Sequence, residues 1–75
     1  MSFFNRLQKK VAKNNSSQTL NSAYKLSEER LKDAAKQGDN KKLKRAMSEH
    51  QTYEYALLYQ KTPAYAKLKK RGKVV

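Results

Sequence analysis

The chain has 75 residues, and it contains no cysteine, no tryptophan, one proline, one histidine and two glycines. Without cysteine it has neither a disulfide nor a thiolate metal site. A lone histidine does not make a zinc site, and the six acidic residues are scattered rather than clustered as calcium ligands would be. We therefore expect no metal ion and no cofactor.

Long apolar segments are also missing. No apolar run approaches the ~20 residues that a membrane span needs. The N-terminal segment has basic residues but no apolar stretch after them, so it does not match a secretory signal. These features predict an intracellular (cytoplasmic) protein, or one that is packaged inside a particle, and not a protein secreted through a signal peptide.

Arrangements typical of catalysis are absent from the sequence. His50 and Glu54 are four residues apart in a predicted helix, but no nucleophile or metal ligand accompanies them. The pair is either a pH-sensitive element or a hydrogen-bonded polar pair at the edge of a core. Since Gly38 and Gly72 are the only glycines, there is no glycine-rich phosphate loop. We expect no enzymatic activity and no small-molecule substrate.

Basic charge is abundant and lies mainly at the two ends. Eighteen lysines and arginines face six acids, giving a net charge of +12. Residues 1–14 hold four bases and residues 61–75 hold six, with no acid in either segment, whereas residues 15–60 are nearly balanced. This distribution predicts a small folded unit between cationic segments that binds an anionic partner.

The apolar residues recur at helical spacing, which predicts an all-α protein. Gly38 and Asp39 separate two long helices, and a connection this short predicts an antiparallel helical hairpin. We expect the hairpin helices at about 18–37 and 40–60, flanked by short basic helices at 3–13 and 63–71. The corresponding regions are a basic amphipathic N-terminal helix or arm, the hairpin, and a basic C-terminal helix with its tail: 1–14, 15–60 and 61–75.

Each predicted helix has recognisable end signals and one apolar face. Ser2 is expected to cap the first helix, Asp39 or Asn40 the third, and Thr62, followed by Pro63, the fourth. The inner face of the second helix is predicted from Leu20, Ala23, Tyr24, Ser27, Leu31, Ala34 and Ala35. That of the third is predicted from Leu43, Ala46, Met47, His50, Tyr53, Leu57 and Leu58.

The basic segments favour a small accessory protein that binds nucleic acid with little sequence specificity. Lysines neutralise phosphates and release counterions, and nearby tyrosines offer rings on which bases stack. The alternative for the same residues is a solvated surface that aids solubility. The predicted phosphate-binding residues are Lys61, Lys67, Lys69, Lys70, Arg71 and Lys73 in the C-terminal segment, Lys9, Lys10 and Lys13 in the first helix, and Lys41, Lys44 and Arg45 in the third helix.

Two further functions use the apolar residues. A structural or interaction protein, such as a virion component or a binder of an acidic protein surface, would use them as anchors, and self-association belongs to the same class. Attachment of the first helix to a membrane surface is the other alternative. The candidate anchors are Phe3, Phe4, Leu7, Tyr55 and Tyr59.

Two short stretches resemble ribosomal proteins. Residues 34–47, AAKQGDNKKLKRAM, resemble the Gly-Asp helical turn of one protein family of the small ribosomal subunit. Residues 59–71 resemble the segment before the basic tail in another such family. Each resemblance covers under a quarter of the chain and neither identifies it as a member. They place RNA beside DNA among the expected partners.

Overall fold

The computed structural model describes residues 4–74, which are all-helical and contain no strand. It has four helices: α1 (Arg6–Asn14), α2 (Ser17–Gln37), α3 (Asn40–Tyr59) and α4 (Pro63–Lys70). The prediction of an all-α protein is confirmed. The long helices α2 and α3 pack closely against each other, as a hairpin requires.

Helix α1 begins three residues later than predicted, at Arg6 rather than Phe3, and Asn5 caps it. The Asn5 side-chain oxygen accepts the backbone N–H of Gln8 at 2.7 Å, and the Gln8 side-chain oxygen accepts the backbone N–H of Asn5 at 3.0 Å. This reciprocal pair is a capping box, which satisfies backbone N–H groups that have no partner within the helix. The cap of α1 is therefore Asn5 and not the predicted Ser2, which lies outside the described residues.

The residues predicted to separate the two hairpin helices, Gly38 and Asp39, are confirmed. Ser16 caps α2, and Gly38 ends it with a φ of 69°, a left-handed conformation that suits glycine because it has no Cβ. The Asp39 carboxylate then accepts the backbone N–H groups of Lys41 and Lys42 at 3.0 and 3.2 Å, which starts α3.

The cap of α4 is also the predicted one. The Thr62 hydroxyl accepts the backbone N–H of Tyr65 and donates to the carbonyl of Tyr59, and Pro63 occupies the first turn, where its missing N–H is harmless. Gly72, with a φ of 69°, follows the helix. After Gly72 the chain returns to the core, where Val74 packs against the buried cluster.

The core lies at one end of the hairpin. Its buried members come from all four helices: Ala12, Leu20, Ala56, Tyr59 and Tyr65. Partly buried side chains surround them: Phe4, Val11, Tyr53, Leu57 and Val74. We call this end the base of the hairpin (residues 4–26 and 51–74), and the end around Gly38 its tip (residues 27–50).

The predicted inner faces are correct in part. Leu20, Ser27 and Ala34 of α2 and Ala46 of α3 are buried as expected. Ala35, Met47 and Leu58 are exposed instead. Ala56 and Tyr59, which lie on another side of α3, are buried because α1 and α4 cover that side at the base.

The molecule is long and thin. Its extents are 45 × 27 × 14 Å and its radius of gyration is 13.8 Å. A compact domain of 75 residues has a radius of gyration of about 11 Å. The molecule is therefore more extended than a compact domain of its length, and many side chains are exposed.

Candidate nucleic-acid interface

The basic residues of α1 lie on one face. Arg6, Lys9, Lys10 and Lys13 are spaced by three, one and three residues, and side chains at such positions share a side of a helix. All four line one open groove of about 570 Å³, together with Phe4 and Asn14. No acidic residue lines this groove. We call Arg6, Lys9, Lys10 and Lys13 the α1 basic face.

The opposite side of α1 is attached to α3. Ala12 is fully buried, and Val11 packs against the same core cluster. Gln8 is also buried, and its side chain is held by the capping box. Because these residues hold the inner side of α1, its four cations are directed away from the core.

Gln60, just after α3, fixes the end of α1. Its side-chain amide donates to the backbone carbonyls of Ala12 at 3.0 Å and Asn15 at 2.8 Å. Its oxygen accepts the Ser17 hydroxyl at 2.8 Å. One side chain thus joins the end of α3 to the junction of α1 and α2.

The second basic segment surrounds α4. Tyr65 anchors this helix in the core, where its ring lies 6.0 Å from that of Tyr59 in an edge-to-face arrangement. The bases after it are all exposed: Lys67, Lys69, Lys70, Arg71 and Lys73. Lys61, in the connection before α4, is exposed too. The three lysines in the last turn suit the negative end of the helix dipole.

The predicted bases of α3 do not join the α1 basic groove. Lys41, Lys44 and Arg45 are exposed, but they lie in the tip. Arg45 lines a groove between α2 and α3 that also contains Asp33 and Glu49. These acids reduce the local positive potential, so the tip is a less suitable phosphate surface than α1.

Ion pairing within the protein uses few of the cations. Over residues 4–74 the single ion pair joins Arg30 and Glu49, whose nitrogen and oxygen are 3.0 Å apart. None of the predicted phosphate-binding residues takes part in it. Their charges remain available to an external anion.

Three of the candidate anchors pack against one another. The Phe4 ring lies 5.3 Å from the Tyr59 ring and 6.3 Å from the Tyr55 ring, both edge-to-face. Tyr59 is buried, with 6% of its surface exposed, so it contributes to the core in this conformation. Leu7 is 56% exposed. Phe3 lies outside the described residues.

His50 has a different partner from the one considered in the sequence. Its ring Nδ1 lies 3.0 Å from the hydroxyl of Ser27, and its ring stacks on Tyr24 with 4.5 Å between centroids. Glu54 is exposed. The polar contact at the edge of the core therefore crosses between α2 and α3 instead of running along α3.

Two glutamines that position α1 were not singled out from the sequence. The spacing Asn-x-x-Gln at residues 5–8 was a detectable signal, because it is the pattern of a capping box. Gln60 had no such signal, since its partners are backbone carbonyls more than 40 residues away along the chain.

The chain matches no protein-family model, no curated protein and no solved structure. Within residues 4–74, none of the helices has the length and apolar character needed to cross a membrane. The same residues bring no three histidine or acidic side chains together in a way that would hold a metal ion.

Proposed function

We propose that this protein binds nucleic acid through phosphate contacts with little sequence specificity. The observation that carries the proposal is the α1 basic face, where four cations line one groove free of acids on a helix attached to a folded core. Each cation that neutralises a phosphate releases condensed counterions, and this release drives binding.

The C-terminal bases provide a second contact. Tyr65 and Val74 attach the residues before and after them to the core, so the exposed cations of 67–73 are tethered at both ends. Tethering lowers the conformational entropy lost when these side chains meet a phosphate backbone. The two basic segments together hold ten cations, enough for contacts with about six or more phosphates.

The residue types favour phosphate binding over base recognition. Three of the four cations of the α1 basic face are lysines, which act as flexible point charges and lack the fixed fork of arginine. Recognition of guanine in the major groove most often uses bidentate arginine contacts. We therefore expect similar affinities for DNA duplexes of different sequence.

The test is the salt dependence of binding, measured by fluorescence anisotropy with labelled duplex DNA, single-stranded DNA and RNA. If about six phosphates are contacted, log Kd should change with log salt with a slope of magnitude near 5 on duplex DNA. Replacing Lys9, Lys10 and Lys13 by glutamine should reduce that magnitude by about 3.

A matched control carries the same charge change on α2, with Lys25, Lys32 and Lys36 replaced by glutamine. These lysines are exposed but lie outside the α1 groove. The control should keep most of the slope. An affinity insensitive to salt, or an equal loss of slope in both triple variants, would contradict the proposal.

A second candidate function is an interaction protein that binds an acidic protein surface, as a virion component would. One observation favours it: exposed Leu7 lines an open groove with Val11 and Tyr53, whose border carries two cations, Lys44 and Arg45, and one acid, Glu49. An apolar floor with this excess of one positive charge suits an amphipathic segment with some acidic residues. Replacing Leu7 by serine separates the functions, because phosphate binding should stay within twofold of the parent chain. A loss as large as that of the lysine triple variant would place the Leu7 groove in the nucleic-acid interface.

Membrane-surface attachment would require α1 to detach. Its apolar residues Val11 and Ala12 already pack in the core, so only Leu7 among its large apolar side chains is free to enter a bilayer. Flotation with phosphatidylserine vesicles tests this alternative. Equal binding by the parent chain and by a Leu7→Ser variant, lost at 0.5 M salt, would mean charge attraction without insertion.

A further inference from the structure

One side of α3 remains uncovered by the other helices. Met47 and Leu58 are 54% and 42% exposed. They are 11 residues apart, which places them within roughly 20° of each other around the helix. Leu43, Gln51 and Glu54 fall on the same side at spacings of three and four residues. We call Leu43, Met47, Gln51, Glu54 and Leu58, with Lys44 at the margin, the α3 neutral face.

The α3 neutral face borders a shallow groove. The groove runs between α2 and α3 and contains Leu31 from α2 and Met47 and His50 from α3. Lys44, Ser48, Gln51 and Glu54 complete its lining. The floor is therefore partly apolar and the border is polar, as in protein–protein interfaces.

The charge of the face differs from that of the rest of the chain. The charges of Lys44 and Glu54 cancel each other, and so do those of Glu28 and Lys32 on the neighbouring side of α2. The whole chain, in contrast, carries a net charge of +12. An acidic partner or a phosphate backbone gains little from a surface without net charge. A second copy of the same surface avoids like-charge repulsion here and finds both signs at complementary positions.

We propose that the α3 neutral face is the interface of a homodimer with twofold symmetry, in which the two α3 helices run antiparallel. In that arrangement Leu43 of one copy lies opposite Leu58 of the second copy. Lys44 then lies within one helical turn of Glu54 of the second copy. Both contacts occur twice because the interface is the same patch on both chains.

The chain as a whole exposes more surface than a compact monomer of its mass. It exposes 5904 Å², whereas a folded monomer of its mass exposes about 4,700 Å². This excess of about 1,200 Å² is spread over the whole chain, and a standard interface takes ~800 Å² from each partner. The molecule is also thin, at 14 Å, and a second copy would give α3 cover on the side that α1 and α2 leave open.

The first test is sedimentation equilibrium of the full chain from micromolar to millimolar concentration, in 0.5 M salt to screen the repulsion between two chains of +12. We expect a monomer–dimer equilibrium that weakens at least tenfold in Met47→Lys. The matched control is Leu26→Lys, since Leu26 is 48% exposed and lies roughly 140° around α2 from Leu31. The control should dimerise like the parent chain.

The second test reverses the charges. Lys44→Glu and Glu54→Lys should each weaken the homodimer roughly tenfold, because each places like charges together twice. Mixed in equal amounts, the two variants should form a heterodimer as tight as the parent homodimer. A parent chain that stays monomeric throughout, a Leu26→Lys variant as impaired as Met47→Lys, or a mixture that remains monomeric would overturn the proposed interface. Because these readouts contain no nucleic acid, they are independent of the phosphate-binding proposal.

Discussion

The base and the tip of the hairpin are stabilised by different means. At the base, side chains from four helices bury two tyrosines, and Gln60 bonds to the junction of α1 and α2. At the tip, two helices bury the small side chains of Ser27, Ala34 and Ala46, and His50 contacts the Ser27 hydroxyl. Buried aromatic side chains remove far more apolar surface from water than alanines do. The base therefore holds most of the stabilisation that comes from apolar burial, and the tip holds less.

This difference has a consequence for the proposed functions. The α1 basic face and the C-terminal cations are both attached to the base, so the phosphate contacts would start from the better-stabilised part of the molecule. The α3 neutral face extends from the tip towards the base. A second copy bound there would add apolar contacts where the single chain has few.

Tyr59→Ala should cause the largest loss in the free energy of unfolding, because it removes a buried ring from the base. Tyr59 of α3 contacts Phe4, which precedes α1, and Tyr65 of α4, so its removal weakens the contacts that join both segments to α3. Truncating a buried aromatic side chain costs about 3–5 kcal/mol. For a domain of this size, with a total stability of roughly 4–11 kcal/mol, this is a large share. Urea unfolding followed by circular dichroism measures it.

The matched control for Tyr59→Ala is Leu26→Ala. Leu26 is a large apolar residue at the base that is 48% exposed, and its truncation should change the free energy of unfolding by less than about 1 kcal/mol. Equal losses in the two variants would mean that the aromatic cluster does not dominate the stability of the base.

Gln60→Ala should cause a smaller loss in the free energy of unfolding than Tyr59→Ala. It removes two hydrogen bonds to the carbonyls of Ala12 and Asn15 and one from the Ser17 hydroxyl. Leaving part-buried carbonyls without a partner costs about 1–3 kcal/mol. We expect this loss in urea unfolding, together with faster hydrogen exchange in α1 than in α3. The exposed Gln51→Ala serves as control, measured at concentrations where the chain is monomeric. Unchanged exchange in α1 would show that Gln60 does not hold that helix.

Local signals made much of the fold predictable. Gly38, Asp39, Thr62 and Pro63 act within a few residues of themselves, and each has the predicted role at a helix end. Periodicity likewise identified α2 and α3. The start of α1 was missed because Ser2 and Asn5 are both acceptable caps, and the reciprocal bond with Gln8 favours Asn5.

The less predictable features depend on contacts distant in sequence. Periodicity placed Met47 and Tyr53 on one face of α3, but only the packing of α1 and α4 decides that Tyr59 is buried and Met47 is not. The candidate phosphate-binding residues were chosen by charge alone. The grooves distinguish between these residues in a way that charge could not. The basic residues of α1 line a groove without acids, whereas Arg45 lines a groove that also contains Asp33 and Glu49.

The smallest effect is expected at the tip, for the ion pair between Arg30 and Glu49. The Arg30 nitrogen and the Glu49 oxygen are 3.0 Å apart, but the side chains are 57% and 34% exposed, so solvent screens their attraction. A double-mutant cycle with Arg30→Ala and Glu49→Ala should give a coupling free energy of about 0.2–0.5 kcal/mol that falls further at 0.5 M salt. A coupling above about 1 kcal/mol would mean that charge pairing, and not only the burial of small side chains such as Ala34 and Ala46, holds the tip together. The base would then be the end stabilised by apolar burial, and the tip would be the end stabilised by an ion pair.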